Sequence, residues 1–441
     1  MKSLATFFQF EKRGTTLKTE ILAGVATFMT MAYIIAVNPA TLVNAGMPFE
    51  GVLFATVLVS AISSILMGLV ANLPFGLAPG MGINAFFAFS LVLGMGMSWE
   101  TALGAVFISG IIFVILSVLK VREQIVKAIP PGIRYAVAAG IGLFLALIGL
   151  KSVGFIVPNP ATMVGFGGIT PTLIIFLVGF VLTSVLVIRK IKGALILGIV
   201  STSLIALVVS LIMEATGGEG FMVMPDRIFA LPSLEVMFKL DVASALSAGM
   251  ILPIFSLLFT DMFDSISTFV GVSEVGGFID KETGEPENVG KALLVDAIAT
   301  TLSGLFGTSS ATTYIESAAG VEEGGRTGFT AVVTGLLFLP FMFLSPILQF
   351  IPQVATAPIL VLIGIFMVTP LTKIKWGEFD EAIPAFLGLI LIPLTYNITQ
   401  GIVWAFLTWT VIKVLLGRGK EVPLTMWIID IFAILSLVIG H

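Results

Sequence analysis

The 441-residue sequence is 57% hydrophobic and only 11% charged, with a mean hydropathy of +1.12, against roughly 25% charged residues in an ordinary soluble domain, so a water-soluble globular fold is excluded. A net charge of -4 and a pI near 5.2 leave no basic footprint for nucleic acid. With no cysteine and a single histidine, His441, disulfides, iron–sulfur clusters, thiolate zinc and histidine chemistry drop out, and neither a metal nor a cofactor is expected.

The chain opens on MKSLATFFQFEKRGTTLKTE, where Glu11, Lys12, Arg13, Lys18 and Glu20 precede the first apolar run. This is not the compact layout of a cleaved signal peptide, and it reads as a cytoplasmic tail. Apolar runs then follow at about 17–42, 50–71, 76–94, 99–119, 133–149, 171–189, 193–213, 247–270, 289–306, 310–321, 327–348, 353–370, 381–396, 399–416 and 424–440. Most approach the roughly 20 residues that cross a bilayer core, which predicts an all-α polytopic membrane protein of fourteen or fifteen spans, residues 1–441 forming a single membrane unit. The last run is ambiguous: Asp430 and the stop at His441 suit either a final span or an interfacial helix. Lys12, Arg13 and Lys18 precede the first span; Lys120, Arg122, Lys127 and Arg134 follow the fourth; Arg189, Lys190 and Lys192 follow the sixth; Lys373 and Lys375 follow the twelfth. The loops 154–170 and 214–232 carry almost no positive charge. Short basic loops stay inside, so the N-terminus is expected in the cytoplasm; a compact chain without long tails suggests a prokaryotic inner (cell) membrane.

An internal repeat lies within these runs. Val59–Leu69 and Val295–Leu305 agree at Val, Ala, Ile, Leu, Gly and Leu, with Ser64 opposite Thr300, all at one offset of 236 residues. The copies are the second and ninth spans, and an odd separation of seven makes the halves run in opposite senses, the inverted-repeat plan of secondary transporters. Each copy precedes a segment ill suited to helix: Leu73–Ala85, with two prolines and three glycines, and Gly307–Ser317, short, hydroxyl-rich and β-branched. Unpaired backbone at membrane depth survives only where protein or a watery cavity satisfies it. Both segments, spans three and ten, are therefore expected as short extended strands turning into half-helices, whose N-termini offer N–H groups and positive dipole ends to one central site.

Ionisable groups inside a membrane cost about 2.5–3.5 kcal/mol each on insertion scales and mark function. Span eight carries Asp261 and Asp264 three residues apart on one helix face; in low dielectric two such carboxylates repel, and at least one is expected to hold a proton. Glu316 starts the second half-helix. Asn84 lies in the first broken span and offers an amide. Asp296, Thr312 and Thr313 read as structural, 274–291 as a solvated cytoplasmic turn, and Glu322, Glu323 and Arg326 as an ion-pair or anchoring cluster.

At these residues the sequence resembles a family. FTDMFDSISTFVGV, TSSATTYIESAAGVEEGGRTG, APGMGINAFF and FEKRGTTLKTEILAGVATFMTMAYIIAVNP look like the azaguanine-like purine permeases, related to the nucleobase-ascorbate transporters, across essentially the full chain. The resemblance implies fourteen spans in two inverted seven-span repeats. It divides them into a core domain (approximately 15–130 and 240–350) and a gate domain (approximately 131–239 and 351–441). It also implies proton-coupled uptake of adenine, guanine or hypoxanthine. By the same resemblance Asp261 and Glu316 match the acidic pair that binds the base, Asn84 a substrate-site amide and Asp264 a second important acid. Where the uracil and xanthine branches usually have histidine near Ser265, this chain has none, which leaves proton work to Asp261, Asp264 or Glu316.

The chemistry agrees. A purine is planar and neutral, with ring N–H donors beside nitrogen and carbonyl acceptors; carboxylates accept from the donors, Asn84 offers both functions, and the backbone amides of Tyr314, Ile315 and Ser317 can bond the acceptors. Phe86, Phe87, Phe259, Phe263 and Tyr314 are candidates to stack on the ring. The expected partners are a purine base, a proton and the lipid bilayer, with a homodimer left open. Two rivals remain: an anion transporter of sulfate or bicarbonate type on the same inverted-repeat plan, which should present Lys or Arg at the half-helices, and an intramembrane aspartyl hydrolase, which would leave the repeat unexplained.

Overall fold

The computed structural model describes residues 2–119, 128–217, 220, 222, 225–279 and 286–439. The basic stretch 120–127, the middle of the charged turn at 280–285 and His441 lie outside the described residues. Among those described, ten helices are long and apolar enough to cross a membrane by length and composition. Other apolar runs form shorter helices: Met81–Gly94, Gly328–Phe343, Phe379–Thr395 and Leu424–Ile439. The count of full-length spans is thus lower than the count of apolar runs, because proline and glycine interrupt several of them. Helix starts follow local chemistry: the side chains of Thr16, Ser98, Thr170 and Asn397 each accept a backbone N–H from the first turn that follows.

The run 76–94 is broken as expected. Asn72, at φ +52°, ends the wide turn after the Phe49–Leu66 helix, and strand β1 (Leu77–Pro79) follows before a short helix, Met81–Ala85, that widens into π-helix over Phe86–Gly94. The second repeat copies this plan. The Val289–Phe306 helix ends at Gly307, at φ +96°. A strand, Ala311–Thr313, and the helix Ser317–Glu322 follow. Between the two copies lies a feature not anticipated: loop 154–170 folds into a β-hairpin of β2 (Ile156–Asn159) and β3 (Met163–Phe166), its β-branched arms joined by a turn in which Asn159 accepts from the N–H groups of Ala161 and Thr162. Ala311–Thr313 is accordingly β4, and it pairs antiparallel with β1 in the register Leu77 to Thr313, Ala78 to Thr312 and Pro79 to Ala311. Antiparallel pairing of equivalent strands is what inverted repeats require.

Helices pack around this crossing. Gly328–Phe338 packs on Leu17–Met31 and Phe49–Leu66, and Val289–Phe306 on Trp99–Val118, while Gln353–Val368 and Phe379–Thr395 pack on Pro131–Ser152. A Cβ on Gly364 would sit 2.5 Å from the Gly142 carbonyl oxygen, so Gln353–Val368 and Pro131–Ser152 meet backbone to backbone, as small residues permit in membranes. At one end of this group Lys413, 3% exposed, pairs with Asp380 at 2.7 Å and Glu381 at 2.9 Å, and Arg418 joins Asp380 at 2.7 Å; the network supplies the partners that buried charge needs.

Glu20 is no part of a solvated tail. Its carboxylate is fully buried and accepts the N–H of Arg326 (2.9 Å), the hydroxyls of Thr327 (2.8 Å) and Thr330 (2.7 Å), and the Thr330 N–H (3.2 Å), closing the start of the Gly328–Phe338 helix. The expected cluster of Glu322, Glu323 and Arg326 is resolved differently: Arg326 donates to the carbonyls of Val321 and Gly325, and Glu323 pairs with Lys192. Arg13 pairs with Glu287 at 2.6 Å and the Thr15 hydroxyl donates to the Gly324 carbonyl at 3.5 Å. These links put the N-terminal segment, the loop at 189–192, the charged turn and the segment after Glu322 on one face.

Candidate functional site

The crossing of β1 and β4 lies at the centre of the chain's two broken spans, and its first requirement is that every backbone group be satisfied. Hydroxyls from neighbouring segments do this. Ser64 accepts from the Leu77 N–H at 2.9 Å and donates to the Leu77 carbonyl at 3.1 Å; its repeat counterpart Thr300 donates to the Ala311 carbonyl at 3.2 Å. Ser303 accepts from the Ala311 N–H and Ser317 from the Gly76 N–H, each at 3.0 Å. Beyond the ladder, Gly80 N–H bonds Ser310 O at 2.9 Å and Tyr314 N–H bonds Gly76 O at 3.0 Å. The hydroxyl-rich composition of these spans is therefore the means by which extended backbone exists at this depth.

A cleft of about 80 Å³ opens where both half-helices begin. Asp264 from the Ile251–Gly276 helix, Glu316 from the start of Ser317–Glu322, Tyr33 from the break in the first span, and Gly80 to Gly82 line it, and Ile363 and Met367 of Gln353–Val368 close its far side. Tyr33 donates its hydroxyl to Glu316 Oε1 at 2.7 Å, and Thr312 donates to Asp264 Oδ2 at 3.1 Å. The Tyr314 hydroxyl donates to the Pro79 carbonyl at 2.5 Å, and the Tyr33 and Tyr314 rings lie 6.3 Å apart, tilted by 40°. Asp264 also faces an adjoining void of about 50 Å³ with Arg134, Thr260 and Ser267.

Of the residues singled out from sequence, Asp264, Glu316, Tyr314 and Ile315 line this cleft. Asp261 lies one turn before Asp264, buried against Val289–Phe306, where Thr300 donates to its Oδ2 at 2.5 Å. The structure thus brings Glu316 together with Asp264, whereas the sequence pairs it with Asp261: positions three apart on a helix diverge by about 60°, enough for one carboxylate to face the neighbouring helix and the other the cavity. Asn84 is buried beside the cleft, its Oδ1 accepting from the Ser309 hydroxyl and its Nδ2 3.7 Å from Met81 Sδ. Ser317 serves the Gly76 backbone, and Phe259 packs among Phe255, Phe263 and Phe406. Asp296 accepts from Ser265 at 2.5 Å and Thr313 at 3.2 Å, tying two helices to β4. Among the described residues no three His, Cys, Asp or Glu side chains converge as a metal would need.

Tyr33 is the residue the motifs did not single out. The chain has only four tyrosines, and two of them meet here, which is the signal that was available. Tyr33→Phe removes the 2.7 Å bond while keeping the ring. It is expected to leave folding intact and weaken ligand affinity about 3- to 10-fold, the worth of roughly one hydrogen bond; equilibrium binding to the purified variant measures it.

The arrangement offers two carboxylate acceptors, backbone amides and two phenol rings in a small niche, a set suited to holding a compact polar ring. A model of the Permease family, Xan_ur_permease, matches residues 18–404. The chain is 38% identical over 436 residues to the adenine permease AdeP of Escherichia coli (99% of this chain, 96% of that one) and 40% identical over 437 residues to the guanine/hypoxanthine permease PbuG of Bacillus subtilis (96% and 97%). Among solved structures it is similar in fold to the transmembrane domain of the cyanobacterial bicarbonate transporter BicA, with a TM-score of 0.64 at 15% identity over 88% of this chain and 97% of that one.

Proposed function

Because the chain belongs to this permease family of nucleobase-ascorbate type, we propose that it imports purine nucleobases, adenine, guanine or hypoxanthine, by proton symport with alternating access. The observation that carries the reading is the pair of carboxylates, Asp264 and Glu316, lining one cleft where the two broken spans cross. A base bound there gives its N–H donors to those carboxylates and an acceptor to the backbone N–H group at Ile315, with Tyr33 and Tyr314 beside its plane. A carboxylate without a ligand or proton is costly at this depth. Protonation of Asp264 or Glu316 from outside therefore eases the inward movement of the loaded site, and the proton is released on the inner side with the base, so the two travel together. Asp261 is held by Thr300 and serves in this scheme to fix the Ile251–Gly276 helix.

The moving parts are a core, approximately 15–130 and 240–350, and a gate, approximately 131–239 and 351–441. The cleft lies between them: its acids come from the core and Ile363 and Met367 from the gate. At about 80 Å³ the cleft is well below the roughly 300–1,000 Å³ of ordinary ligand pockets, which supports a narrowed state that widens when the gate shifts. The anion-carrier rival shares the fold, and Arg134 lines the void that adjoins Asp264, but an anion would meet two carboxylates, Asp264 and Glu316, in the cleft itself. The hydrolase rival is set aside by membership of a permease family.

Uptake of labelled adenine, guanine and hypoxanthine in a purine-transport-deficient host, across a pH series and with a protonophore, tests the proposal. Uptake of at least one base, rising as external pH falls and collapsing with the protonophore, is expected. Uptake indifferent to both removes the proton; no uptake of any of the three removes the substrate class.

A further inference from the structure

We propose that the cavity of about 320 Å³ between the first and third spans and the helices Pro131–Ser152 and Gln353–Val368 is a second binding site for a neutral, planar heteroaromatic base, in series with the central cleft. The inference rests on the purine reading above. The cavity lies toward the end of Gln353–Val368 remote from Lys373, and one helix face joins it to the cleft: Gln353, Thr356 and Leu360 line the cavity while Ile363 and Met367 line the cleft. Steps of three and four residues keep these five side chains on one stripe, and a rise of about 1.5 Å per residue puts Thr356 and Ile363 roughly 10 Å apart along the axis. The facing helix repeats the pattern, with Ile148 and Lys151 on the cavity and Ile141 on the void that Asp264 shares.

The lining selects the ligand class. Phe89 and Tyr396 both supply rings to the lining. Asn44 spends its Nδ2 on the carbonyls of Ala40 (2.9 Å) and Thr41 (3.1 Å), and the hydroxyls of Ser152 and Thr356 donate within their own helices at 2.8 Å and 3.1 Å. Their oxygens are thus presented as acceptors, while Lys151 and the Gln353 amide supply donors. Among the described residues no carboxylate lines the cavity, so a cation finds no counter-charge there. An inorganic anion finds one ammonium, Lys151, already 5.0 Å from the centre of the Tyr396 ring. A neutral ring with both N–H donors and nitrogen or carbonyl acceptors uses the whole set.

The site is held in shape. Tyr396 sits at φ +54°, a left-handed conformation uncommon for a bulky residue. Its carbonyl accepts from the Ser90 hydroxyl at 2.6 Å, and its ring meets Phe144 edge to face at 5.3 Å. Ser90 neighbours Phe89 in the Phe86–Gly94 π-helix, so one bond fixes both aromatic walls, and strain of this kind persists only where the surroundings impose it.

Equilibrium binding of labelled adenine, guanine and hypoxanthine to the full-length protein in lipid nanodiscs tests this. Wild type is expected to approach two bases per chain with two affinities. Asp264→Asn should weaken the tighter component about 10- to 150-fold and spare the weaker; Asn44→Ala with Gln353→Ala should weaken the second component at least tenfold and leave the first unchanged. Should the double variant fail to fold, Lys151→Gln alone probes the same rim. One base per chain in wild type, with no component that Asp264→Asn leaves unchanged, overturns the second site while leaving the purine reading intact. Displacement of the weaker component by millimolar sulfate overturns its ligand class. No binding of any of the three bases to wild type overturns the purine reading itself, and this inference with it.

Discussion

Asp264→Asn is expected to cut uptake of the preferred purine about 10- to 150-fold, with the protein still folded and inserted. The carboxylate lines the central cleft and takes one short-range donor, Thr312, at 3.1 Å, so its remaining acceptor capacity is free to face a ligand. Hydrogen bonds to a charged group are worth about 1.5–3 kcal/mol, and each 1.4 kcal/mol is about tenfold in affinity. Asparagine keeps the shape but replaces an acceptor-only group by one that presents N–H to the base N–H. Glu316→Gln should fall in the same range, because Glu316 faces the same cleft with Tyr33 at 2.7 Å. Asp261→Asn is the control that separates the two acids of one helix: its carboxylate bonds Thr300 inside the protein, so its loss should lower the unfolding temperature more than it weakens binding. Binding isotherms and thermal unfolding on the three purified variants decide the matter. Unchanged affinity in Asp264→Asn beside lost affinity in Asp261→Asn would return the base to the pairing of Asp261 with Glu316.

Glu20→Ala should destabilise the folded protein by about 3–5 kcal/mol. Glu20 is buried and receives four hydrogen bonds from Arg326, Thr327 and Thr330 at the start of the Gly328–Phe338 helix. There its negative charge is favoured by the helix's free N–H groups and positive end. Alanine strands several buried donors at about 1–3 kcal/mol each, with partial relief from water that enters. Glu20→Gln retains an acceptor and should recover roughly half the loss. Fluorescence-detected gel filtration of heated membrane extracts reads both; an unaltered midpoint in Glu20→Ala would show that this carboxylate carries no stability.

Glu20 also marks where sequence reasoning ends. Read along the chain it is one charge among six before an apolar run, and nothing local distinguishes it from Glu11. Its partners lie more than 300 residues away, so only the packing of the first span on Gly328–Phe338 makes it a buried cap. The hairpin at 156–166 was hidden for a related reason, since its strands are only four residues each and a loop with β-branched residues looks much the same. By contrast the broken spans were legible, because proline, glycine and clustered hydroxyls change what the backbone can do locally, wherever the segment lies.

The sequence by itself determined the membrane class, the repeat at a 236-residue offset, the two interruptions and the presence of acids at membrane depth, since each follows from composition or from chemistry within a few residues. What only the tertiary structure decided is which acids share a cavity. Asp261 and Asp264 are both acids on one helix, and the choice between them depends on a rotation of about 60° relative to Val289–Phe306 and β4, an angle set by long-range packing and absent from any local pattern. The same holds for Tyr33, which reaches Glu316 only because the first span lies against the tenth.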